Sequence, residues 1–469
     1  MTKLSSTYGK VHLLSILLLL SNICFQVATC GSIVKFLPGF QGPLPFALET
    51  GYVGVGEKED VQVFYYFIES EKNPKDDPLI LWLTGGPGCS ALSGLMLEIG
   101  PLELKKEEYN GSLPNLILRQ HSWTKVSSII FVDLPVSTGF TYATTESGTK
   151  RSDSILVHQT YQFLRKWLVD HPKFQSNEVY IAGDSYSGIP IPVIVQKIAE
   201  GNEKGVQPWI NLQGYLLGNA AITGKEKNYV IPFAHGMGLI SDELYDSLQK
   251  NCNGDYINVE TRNVLCSRDI SSFDEVTSGI HEPHILEPSC EWLDNTENSP
   301  RRSLINKDPT NFLNTNLKLP LLSCRSYTYF LMGYWANDDN VRKALHIQKG
   351  SVAKWHRCTF NIPHKKDIPN SYDYLVNLSR KGIRSLIYSG DHDMKIPFLA
   401  TQAWIRSLNY SIVDDWRQWH TNDQVAGYTR TYSNQMTFAT VKGGGHTAPE
   451  YRPKECFDMF SRWISKRAL

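Results

Sequence analysis

Short and nearly continuous apolar segments recur along this chain, and they constrain its fold more than any other feature. They include PLILWLT, SSIIFVDL, EVYIAG, INLQGYLLGN, IRSLIYSG and MTFATVKG, while VQVFYYFI alternates loosely. Continuous apolar strands fit a parallel sheet that is covered on both faces. Between two of them, residues 152–172 show one broad apolar face, a capping residue in Ser152 or Asp153, and Pro172 after the predicted helix. This order predicts a right-handed crossover, so we expect an α/β fold with a mostly parallel central sheet.

The size and charge of the chain limit its architecture and its partners. Its 469 residues are enough for one large α/β domain with insertions, or for two domains. Acidic and basic residues balance at 47 each and no basic block is present, so we expect no nucleic-acid partner. Residues from about 225 to 330 contain few strand signals and several cysteines, and we interpret them as a helical insertion tied by disulfides.

A polar segment inside this insertion, residues 294–311, predicts an exposed loop. Arg301 and Arg302 form a candidate processing site there, and cleavage near Arg302 would give a two-chain form. A solvated loop that is never cut is an equally good interpretation.

The N-terminus carries a targeting signal. Lys3 and Lys10 precede the apolar run VHLLSILLLLSNICFQVA and the small residues ATCG. This order predicts a secretory signal peptide over residues 1–30, cleaved near Cys30 and Gly31. The alternative is an uncleaved membrane anchor, but the apolar core is shorter than the roughly 20 residues that a span needs. We therefore expect a protein of the secretory pathway, vacuolar or extracellular, without stable membrane association.

Secretion changes how the cysteines are interpreted, because an oxidising compartment favours disulfides. Of nine cysteines, Cys24 and Cys30 leave with the signal, and the remaining seven allow three disulfides and one free thiol. These seven are Cys89, Cys252, Cys266, Cys290, Cys324, Cys358 and Cys456. They include no close pair of the zinc-binding kind, and we expect neither a metal nor a cofactor. Sequons at Asn110, Asn377 and Asn409 predict N-glycosylation.

The stretch IAGDSYSGIP offers a candidate nucleophile. Ser185 follows the predicted strand EVYIAG and precedes an apolar segment, as on a strand-to-helix elbow above the carboxyl edge of a parallel sheet. Other backbone passes close to such an elbow, and the small residues Gly183 and Ser187 leave room for it. An ordinary turn serine is the alternative, which this stretch alone does not exclude.

A serine nucleophile needs a base, and the base needs an orienting carboxylate. In one common α/β enzyme fold the chain order is Ser, then Asp or Glu, then His, each after a strand. IYSGDHDMKIP offers Asp391 and Asp393 after one strand, and VKGGGHTAPEYRP offers His446 after the last. Any of these could lie in a surface turn, but all three sites follow strands in the expected order. We therefore expect Ser185 and His446 to act with one of the two aspartates.

Acyl chemistry also needs backbone N–H groups that stabilise an oxyanion. The segment LILWLTGGPGCS places Gly85, Gly86, Pro87 and Gly88 in a turn after an early strand. We expect one donor there, from Gly86, and a second from Tyr186, the residue after the nucleophile. A phosphate-binding loop is the alternative, but Pro87 removes a donor and no Gly-Lys-Ser/Thr follows.

Together, WLTGGPGCSALSGL, GDSYSG, GDHDMKIPFLATQAW and GGGHTAPEYRP resemble the signatures of the serine carboxypeptidase family, over residues 34–469. The resemblance implies an α/β-hydrolase fold with a helical insertion. It implies a catalytic triad of Ser185, Asp393 and His446, with Asp393 preferred because it stands four residues before Pro397. It also implies three disulfides, with Cys456 left free. These are Cys89–Cys358, Cys252–Cys266 and Cys290–Cys324.

Peptidases of this family bind the substrate carboxylate with an asparagine in the glycine turn and two glutamates that share a proton. Here those positions hold Thr84, Asp184 and Glu98, and with Gly85 they are the expected substrate contacts. Thr has no amide N–H₂, and Asp is one methylene shorter than Glu. These sequence motifs are instead similar to those of the plant serine carboxypeptidase-like acyltransferases. These move an acyl group, commonly a phenolic acid, from a 1-O-β-glucose ester to an acceptor hydroxyl.

Three functions follow as hypotheses. The first is an acyltransferase that takes a small acyl glucose ester and an acceptor alcohol; the second is a carboxypeptidase; the third is a secreted binding protein without activity. Some positions depart from the acyltransferase pattern, among them Leu134, Ser137 and Ala220. We expect residues 133–142 to line the pocket. We also expect Pro190, close to Pro192, to stiffen or break the first turns after the elbow.

Overall fold

The computed structural model describes residues 31–260, 262–290, 321–360 and 362–469. The expected signal peptide and the Arg301-Arg302 site lie outside the described residues. The strands are β1 (Ser32–Val34), β2 (Leu48–Val55), β3 (Val61–Ile68), β4 (Leu79–Leu83), β5 (Leu102–Leu104), β6 (Leu116–Leu118), β7 (Ser128–Val132), β8 (Tyr142–Ala143), β9 (Val179–Asp184), β10 (Leu212–Gly218), β11 (Arg384–Gly390), β12 (Ile412–Thr421), β13 (Gln424–Tyr432) and β14 (Met436–Val441). The α-helices are α1 (Asp153–Asp170), α2 (Pro190–Glu203), α3 (Val230–Gly236), α4 (Asp242–Cys252), α5 (Val264–Thr277), α6 (Arg325–Asn337), α7 (Asp339–Ala344), α8 (Tyr372–Arg380), α9 (Phe398–Ser407), α10 (Ala448–Tyr451) and α11 (Pro453–Ile464).

A sheet of 12 strands runs through the described part of the chain in the order β1-β2-β3-β7-β4-β9-β10-β11-β14-β13-β12, with β8 paired to β3. The central strands from β7 to β14 are parallel. The strands on either side pair antiparallel. The α/β fold and its parallel centre are thus confirmed, whereas the outer strands β1, β2, β12 and β13 were not predicted.

The continuous apolar strands are explained by burial on both faces. All five residues of β4 are buried. Its side chains alternate between two cores: Ile80 and Trp82 belong to the core that α6 and α11 cover, and Leu79 and Leu81 to the core that α1 and α2 cover. A strand with helices on both sides has no solvent face, so its sequence shows no polar alternation.

Two local expectations about helix starts are resolved. Ser152 caps α1, because its Oγ accepts from the backbone N–H of Ile155 at 3.2 Å. Asp153 is the first helical residue and is fully buried, with other partners. Of the two alternatives expected for Pro190, stiffening or a break, the break was wrong, since α2 begins at Pro190 and runs unbroken. A proline at the first helical position costs nothing, because that N–H has no partner in the helix anyway.

Residues 225–290 form the expected helical insertion, with α3, α4 and α5. Its own small core includes Phe233, Leu248 and Phe273, together with Met394 from the loop after β11. The next helix, α6, starts inside the expected insertion span but packs on the main core. The insertion therefore contacts the sheet edge at which the candidate catalytic aspartate lies.

The structure joins the three cysteine pairs that the resemblance implied: Cys89–Cys358, Cys252–Cys266 and Cys290–Cys324. Cys456 is a buried free thiol in α11. Within the described ranges, no helix combines the length and the apolar character that crossing a membrane requires.

We predict that alanine replacement of Cys89 and Cys358 lowers the free energy of unfolding by about 2–5 kcal/mol. In the chain-entropy account a crosslink restricts the unfolded chain more when it closes a longer loop, and this one spans 269 residues. Denaturant unfolding measures the loss. The matched control replaces Cys252 and Cys266, which are 14 residues apart and should cost less. A free Cys89 thiol in peptide mapping without reduction would contradict the pairing itself.

Candidate active site

Ser185 lies on a strained elbow directly after β9. Its φ is +55°, a left-handed value that non-glycine residues rarely adopt. The crowding around the elbow explains its small neighbours. A Cβ at Gly183 would lie 2.2 Å from the Leu83 carbonyl oxygen, and one at Gly188 would lie 2.3 Å from the Ala221 carbonyl oxygen. The backbone geometry therefore presents Ser185 at the carboxyl edge of the sheet, where α2 begins.

The structure brings His446 and Asp393 to this serine. His446 Nε2 lies 2.8 Å from Ser185 Oγ, and His446 Nδ1 lies 2.8 Å from Asp393 Oδ2. The other candidate, Asp391, accepts from the backbone N–H of Gly443 at 2.7 Å instead. Asp393 is therefore the carboxylate that orients His446.

Asp393 is fully buried, and several donors compensate its charge. Oδ2 accepts from Asn219 Nδ2 at 2.9 Å, and Oδ1 accepts from the backbone N–H of Lys395 at 2.8 Å. The amide oxygen of Asn219 in turn accepts from the Gly390 N–H at 3.0 Å. Sequence reasoning missed the role of Asn219; its one signal is that an amide follows β10 at the same sheet edge.

The pKa of His446 is raised. Burial disfavours the imidazolium, but the charge of Asp393 and its hydrogen bond outweigh that penalty. The insertion also fixes this residue, because the His446 N–H donates to the Pro283 carbonyl oxygen at 2.7 Å. His446 is thus oriented through its ring by Asp393 and through its backbone by the insertion.

The glycine turn after β4 packs directly against the elbow. A Cβ at Gly85 would lie 2.7 Å from Ser185 Cβ, so a side chain does not fit there. The Gly85 N–H donates to Asp184 Oδ1 at 3.0 Å, which ties the turn to the end of β9. Gly86 has a φ of +124°, a value that favours glycine. The oxyanion roles of Gly86 and Tyr186 remain predictions.

A cavity of about 700 Å³ opens at Ser185 and His446. Its wall includes all of the expected substrate contacts, namely Thr84, Gly85, Glu98 and Asp184. The expectation for residues 133–142 was wrong, because none of them lines this cavity. The reason is that Asp133 points inward, where its Oδ1 accepts from Ser90 Oγ at 2.7 Å and from the Ala91 N–H at 2.8 Å.

Comparison with known proteins identifies the family to which this chain belongs. Residues 38–466 match the serine carboxypeptidase family. The chain belongs to that family. It is 53% identical over 457 residues to serine carboxypeptidase-like 12 of Arabidopsis thaliana, covering 97% of this chain and 99% of the relative. It is 54% identical to serine carboxypeptidase-like 2 of the same plant, covering 99% of this chain and all of the relative.

A solved structure with a similar fold is that of a prohormone-processing carboxypeptidase from Saccharomyces cerevisiae. It superposes with a TM-score of 0.70 at 20% identity, covering 92% of this chain and 95% of that one. This confirms the α/β-hydrolase fold of the family for the present chain.

In this member of the serine carboxypeptidase family, the carboxyl groups in the cavity wall are unusual. Burial, followed by the nearby charge of Asp184, raises the pKa of Glu98 well above its ordinary value. Burial also raises the pKa of Asp184 to about 6. Thr84 Oγ1 accepts from Trp82 Nε1 at 3.1 Å, while Glu98 Oε2 is buried without a protein partner in the described residues.

The cavity wall also contains side chains that the sequence analysis did not identify. Tyr329 donates its O–H to Glu450 at 2.9 Å, and the Arg357 guanidinium lies 4.2 Å above the Tyr329 ring. Glu450 also accepts from Thr447 Oγ1 at 2.8 Å. Tyr329 lies in α6, Glu450 in α10, Thr447 just before α10, and Arg357 just before Cys358, so only the fold brings them together.

We predict that a fluorophosphonate labels Ser185 faster as the pH rises through the pKa of His446, because only neutral His446 can accept the serine proton. Since Asp393 raises this pKa, the rise in labelling rate with pH should be centred above the ordinary histidine pKa. Asp393→Asn should move this rise in labelling rate to lower pH. It should also slow labelling by roughly 10⁴-fold, the factor by which kcat falls on the same change in another Ser-His-Asp triad. Labelling rates across pH, read by mass spectrometry, measure both effects.

Two controls accompany this experiment. Asp391→Asn makes the same change two residues away and should leave the rise in labelling rate at the same pH. Ser185→Ala should abolish labelling, and modification of a different serine in the native protein would contradict the assignment of the nucleophile.

Proposed function

We propose that the protein is an acyltransferase that moves an acyl group from a 1-O-β-glucose ester to an acceptor hydroxyl. In this proposal Ser185 is the nucleophile, His446 is the base and Asp393 orients it. The backbone N–H groups of Gly86 and Tyr186 form the oxyanion hole. The support is geometric: the two 2.8 Å contacts of His446 link the serine to the aspartate in one line.

The chemistry balances with these groups alone. Ser185 Oγ attacks the ester carbonyl while its proton passes to His446 Nε2, and the carbonyl oxygen becomes an oxyanion. The bond to the sugar oxygen then breaks, the sugar leaves with the proton from His446, and an acyl-enzyme remains. His446 next takes the proton of the acceptor hydroxyl, whose oxygen attacks the acyl carbon. The bond between that carbon and Ser185 Oγ then breaks, and His446 returns the proton to Ser185 Oγ.

The observation that favours acyl transfer over peptide cleavage is the composition of the cavity wall beside Ser185. A peptidase of this family would need an amide donor at position 84, where Thr84 instead accepts a hydrogen bond from Trp82. The Asp184 carboxylate, one methylene shorter than Glu, accepts from the Gly85 N–H. Two of the three positions of the expected carboxylate clamp are thus altered, while Glu98 and the triad geometry are kept.

A carboxypeptidase remains the second candidate, and one observation favours it. Glu98 and Asp184 keep a pair of carboxyl groups with raised pKa values at the cavity, as a proton-sharing clamp requires. A catalytically inactive binding protein is disfavoured by the intact Ser185–His446–Asp393 contacts.

The proposed setting follows from the disulfides and the predicted signal. Three disulfides are stable in an oxidising compartment, which supports the secretory pathway, with the vacuole or the cell exterior as destination. The proposed partners are small molecules, a glucose ester and an alcohol, and a two-chain form after cleavage near Arg302 stays part of this proposal.

We predict that the purified protein forms a transfer product from an aromatic glucose ester and an excess of acceptor alcohols. The altered clamp should make this reaction faster than cleavage of blocked dipeptides. Chromatography of ester, acid and transfer product measures how the acyl-enzyme divides between alcohol and water. Rapid dipeptide cleavage without transfer product would replace the acyltransferase with the carboxypeptidase.

A matched pair of variants tests the wall directly. Thr84→Asn combined with Asp184→Glu restores the residues of the clamp and should raise dipeptide cleavage relative to transfer. Ser185→Ala, which removes the nucleophile, should abolish both reactions and sets the background.

A further inference from the structure

A buried carboxylate outside the cavity holds the residue after the nucleophile. Tyr186 donates its phenol O–H to Asp153 Oδ1 at 2.8 Å. His364 Nε2 lies 2.8 Å from the same oxygen, and the Ile368 N–H donates to Asp153 Oδ2 at 3.1 Å. Burial, and then the hydrogen bond to Asp153, raise the pKa of the Tyr186 phenol, so it remains a proton donor. We call Asp153, Tyr186 and His364 the elbow anchor.

The elbow anchor connects elements that are distant in sequence. Asp153 is the first residue of α1, where the helix dipole favours a negative charge. The backbone N–H of Asp153 donates to the Lys365 carbonyl oxygen at 3.2 Å, so its main chain and its side chain contact the same segment. Asp153 is fully buried, and rearrangement there would leave a buried charge without its donors.

The chain on either side of His364 contacts the two elements that carry the expected oxyanion donors, each at a residue two positions away from the donor. On the glycine-turn side, the Thr359 N–H donates to the Gly88 carbonyl oxygen at 2.8 Å, next to the disulfide of Cys358. On the elbow side, Ser371 Oγ donates to the Gly188 carbonyl oxygen at 2.7 Å. One stretch of chain therefore spans the two elements whose separation decides whether two N–H groups meet on one oxygen.

We propose that Asp153 and His364 act as positioning residues for the oxyanion hole, by fixing the Tyr186 side chain and with it the direction of the Tyr186 backbone N–H. Tyr186 is held at both ends, by its Cα in the strained elbow and by its phenol oxygen on Asp153. This restricts rotation of the peptide plane between Ser185 and Tyr186. The inference rests on the serine chemistry proposed above, but not on glucose esters as donors.

The two possible roles of the elbow anchor differ in what they change. An oxyanion hole acts on the charge that develops in the transition state, so its misalignment lowers kcat and leaves KM nearly unchanged. A merely structural contact lowers the unfolding temperature and leaves kcat alone. Removing an oxyanion donor entirely costs on the order of 10²–10³ in kcat, so misalignment of one donor should cost roughly tenfold.

The experiment compares Tyr186→Phe with Tyr65→Phe in the full chain. Tyr65 is a matched control, because its phenol donates to Glu49 Oε1 at 2.6 Å and His171 Nε2 lies 2.8 Å from the same oxygen. Both variants lose one phenol oxygen from a carboxylate that a histidine also contacts. The readouts are kcat and KM on a p-nitrophenyl ester, the affinity for a trifluoromethyl ketone that forms an oxyanion on Ser185, and the unfolding temperature.

Tyr186→Phe should lower kcat about tenfold, leave KM unchanged and lower the affinity for the trifluoromethyl ketone by a similar factor. Tyr65→Phe should lose comparable thermal stability with unchanged kcat. His364→Gln keeps an N–H donor at the position of Nε2 and should retain most of the rate, whereas His364→Leu should resemble Tyr186→Phe. These two variants decide the question if Tyr186→Phe does not fold.

Unchanged kcat and ketone affinity in Tyr186→Phe, or in His364→Leu, would overturn the proposal. So would equal rate losses in Tyr186→Phe and Tyr65→Phe. Fluorophosphonate labelling of Ser185 separates this result from failure of the catalytic assignment. If Ser185 is labelled and the rates do not change, only the elbow anchor is wrong; if Ser185 is not labelled, the proposed chemistry itself is wrong.

Discussion

In the parallel register of the central strands, Asp184 at the end of β9 lies opposite Gly218 of β10, and Gly390 of β11 lies opposite Val441 of β14. The placement of the triad follows from this pairing, because the carboxyl ends of neighbouring parallel strands meet at one edge. Ser185 is the next residue after Asp184, and the loops that carry Asp393 and His446 leave the same edge. A slip of one residue would turn each strand's side chains to the opposite face.

The same pairing explains how much could be predicted from sequence. Strands that are buried on both faces must be continuously apolar, so β4, β7, β9, β10, β11 and β14 were visible. With them the sequence predicted Ser185, His446 and the alternatives Asp391 and Asp393, between which only the family resemblance chose Asp393. The β12–β13 hairpin was not, since β12 contains Asp414, Asp415 and Arg417 and most of its residues are partly or fully exposed. A polar, half-exposed edge strand has neither of the patterns that identify a strand.

Long-range polar contacts escaped prediction for a different reason. Asn219 and Asp153 are small polar residues at the end of a strand and at the start of a helix, where such residues usually satisfy local backbone. Their partners are 174 and 33 residues away, on Asp393 and Tyr186. The spacing of residues along the chain does not predict which residues form these hydrogen bonds. The prediction for residues 133–142 failed in the opposite way. They follow β7 at the sheet edge that carries the triad, but Asp133 forms hydrogen bonds inside the protein and none of these residues lines the cavity.

Hydrogen bonds connect the insertion to the loops that carry the triad, and the insertion also lines the cavity. Backbone hydrogen bonds join Met394 to Glu282 and His446 to Pro283, at 2.9 and 2.7 Å, so the insertion holds the loops of both the acid and the base. Pro283 also lines the cavity. Part of the cavity wall is therefore built on the segment that holds the backbone of His446.

Acyl transfer and hydrolysis share the acyl-enzyme, and the Ser185–His446–Asp393 contacts serve an attacking alcohol and an attacking water equally well. A preference for one of them must therefore come from the cavity wall, through the position of the acceptor hydroxyl relative to His446. Positioning of this kind is worth effective molarities on the order of 10⁵–10⁸ M in well-oriented reactions. Thr84, Asp184 and Glu98 belong to that wall. Thr84 follows β4 directly, Asp184 ends β9, and Glu98 ends the short helix Gly94–Glu98. Changes at these positions can redirect the acyl group while the fold and its strained elbow stay as they are.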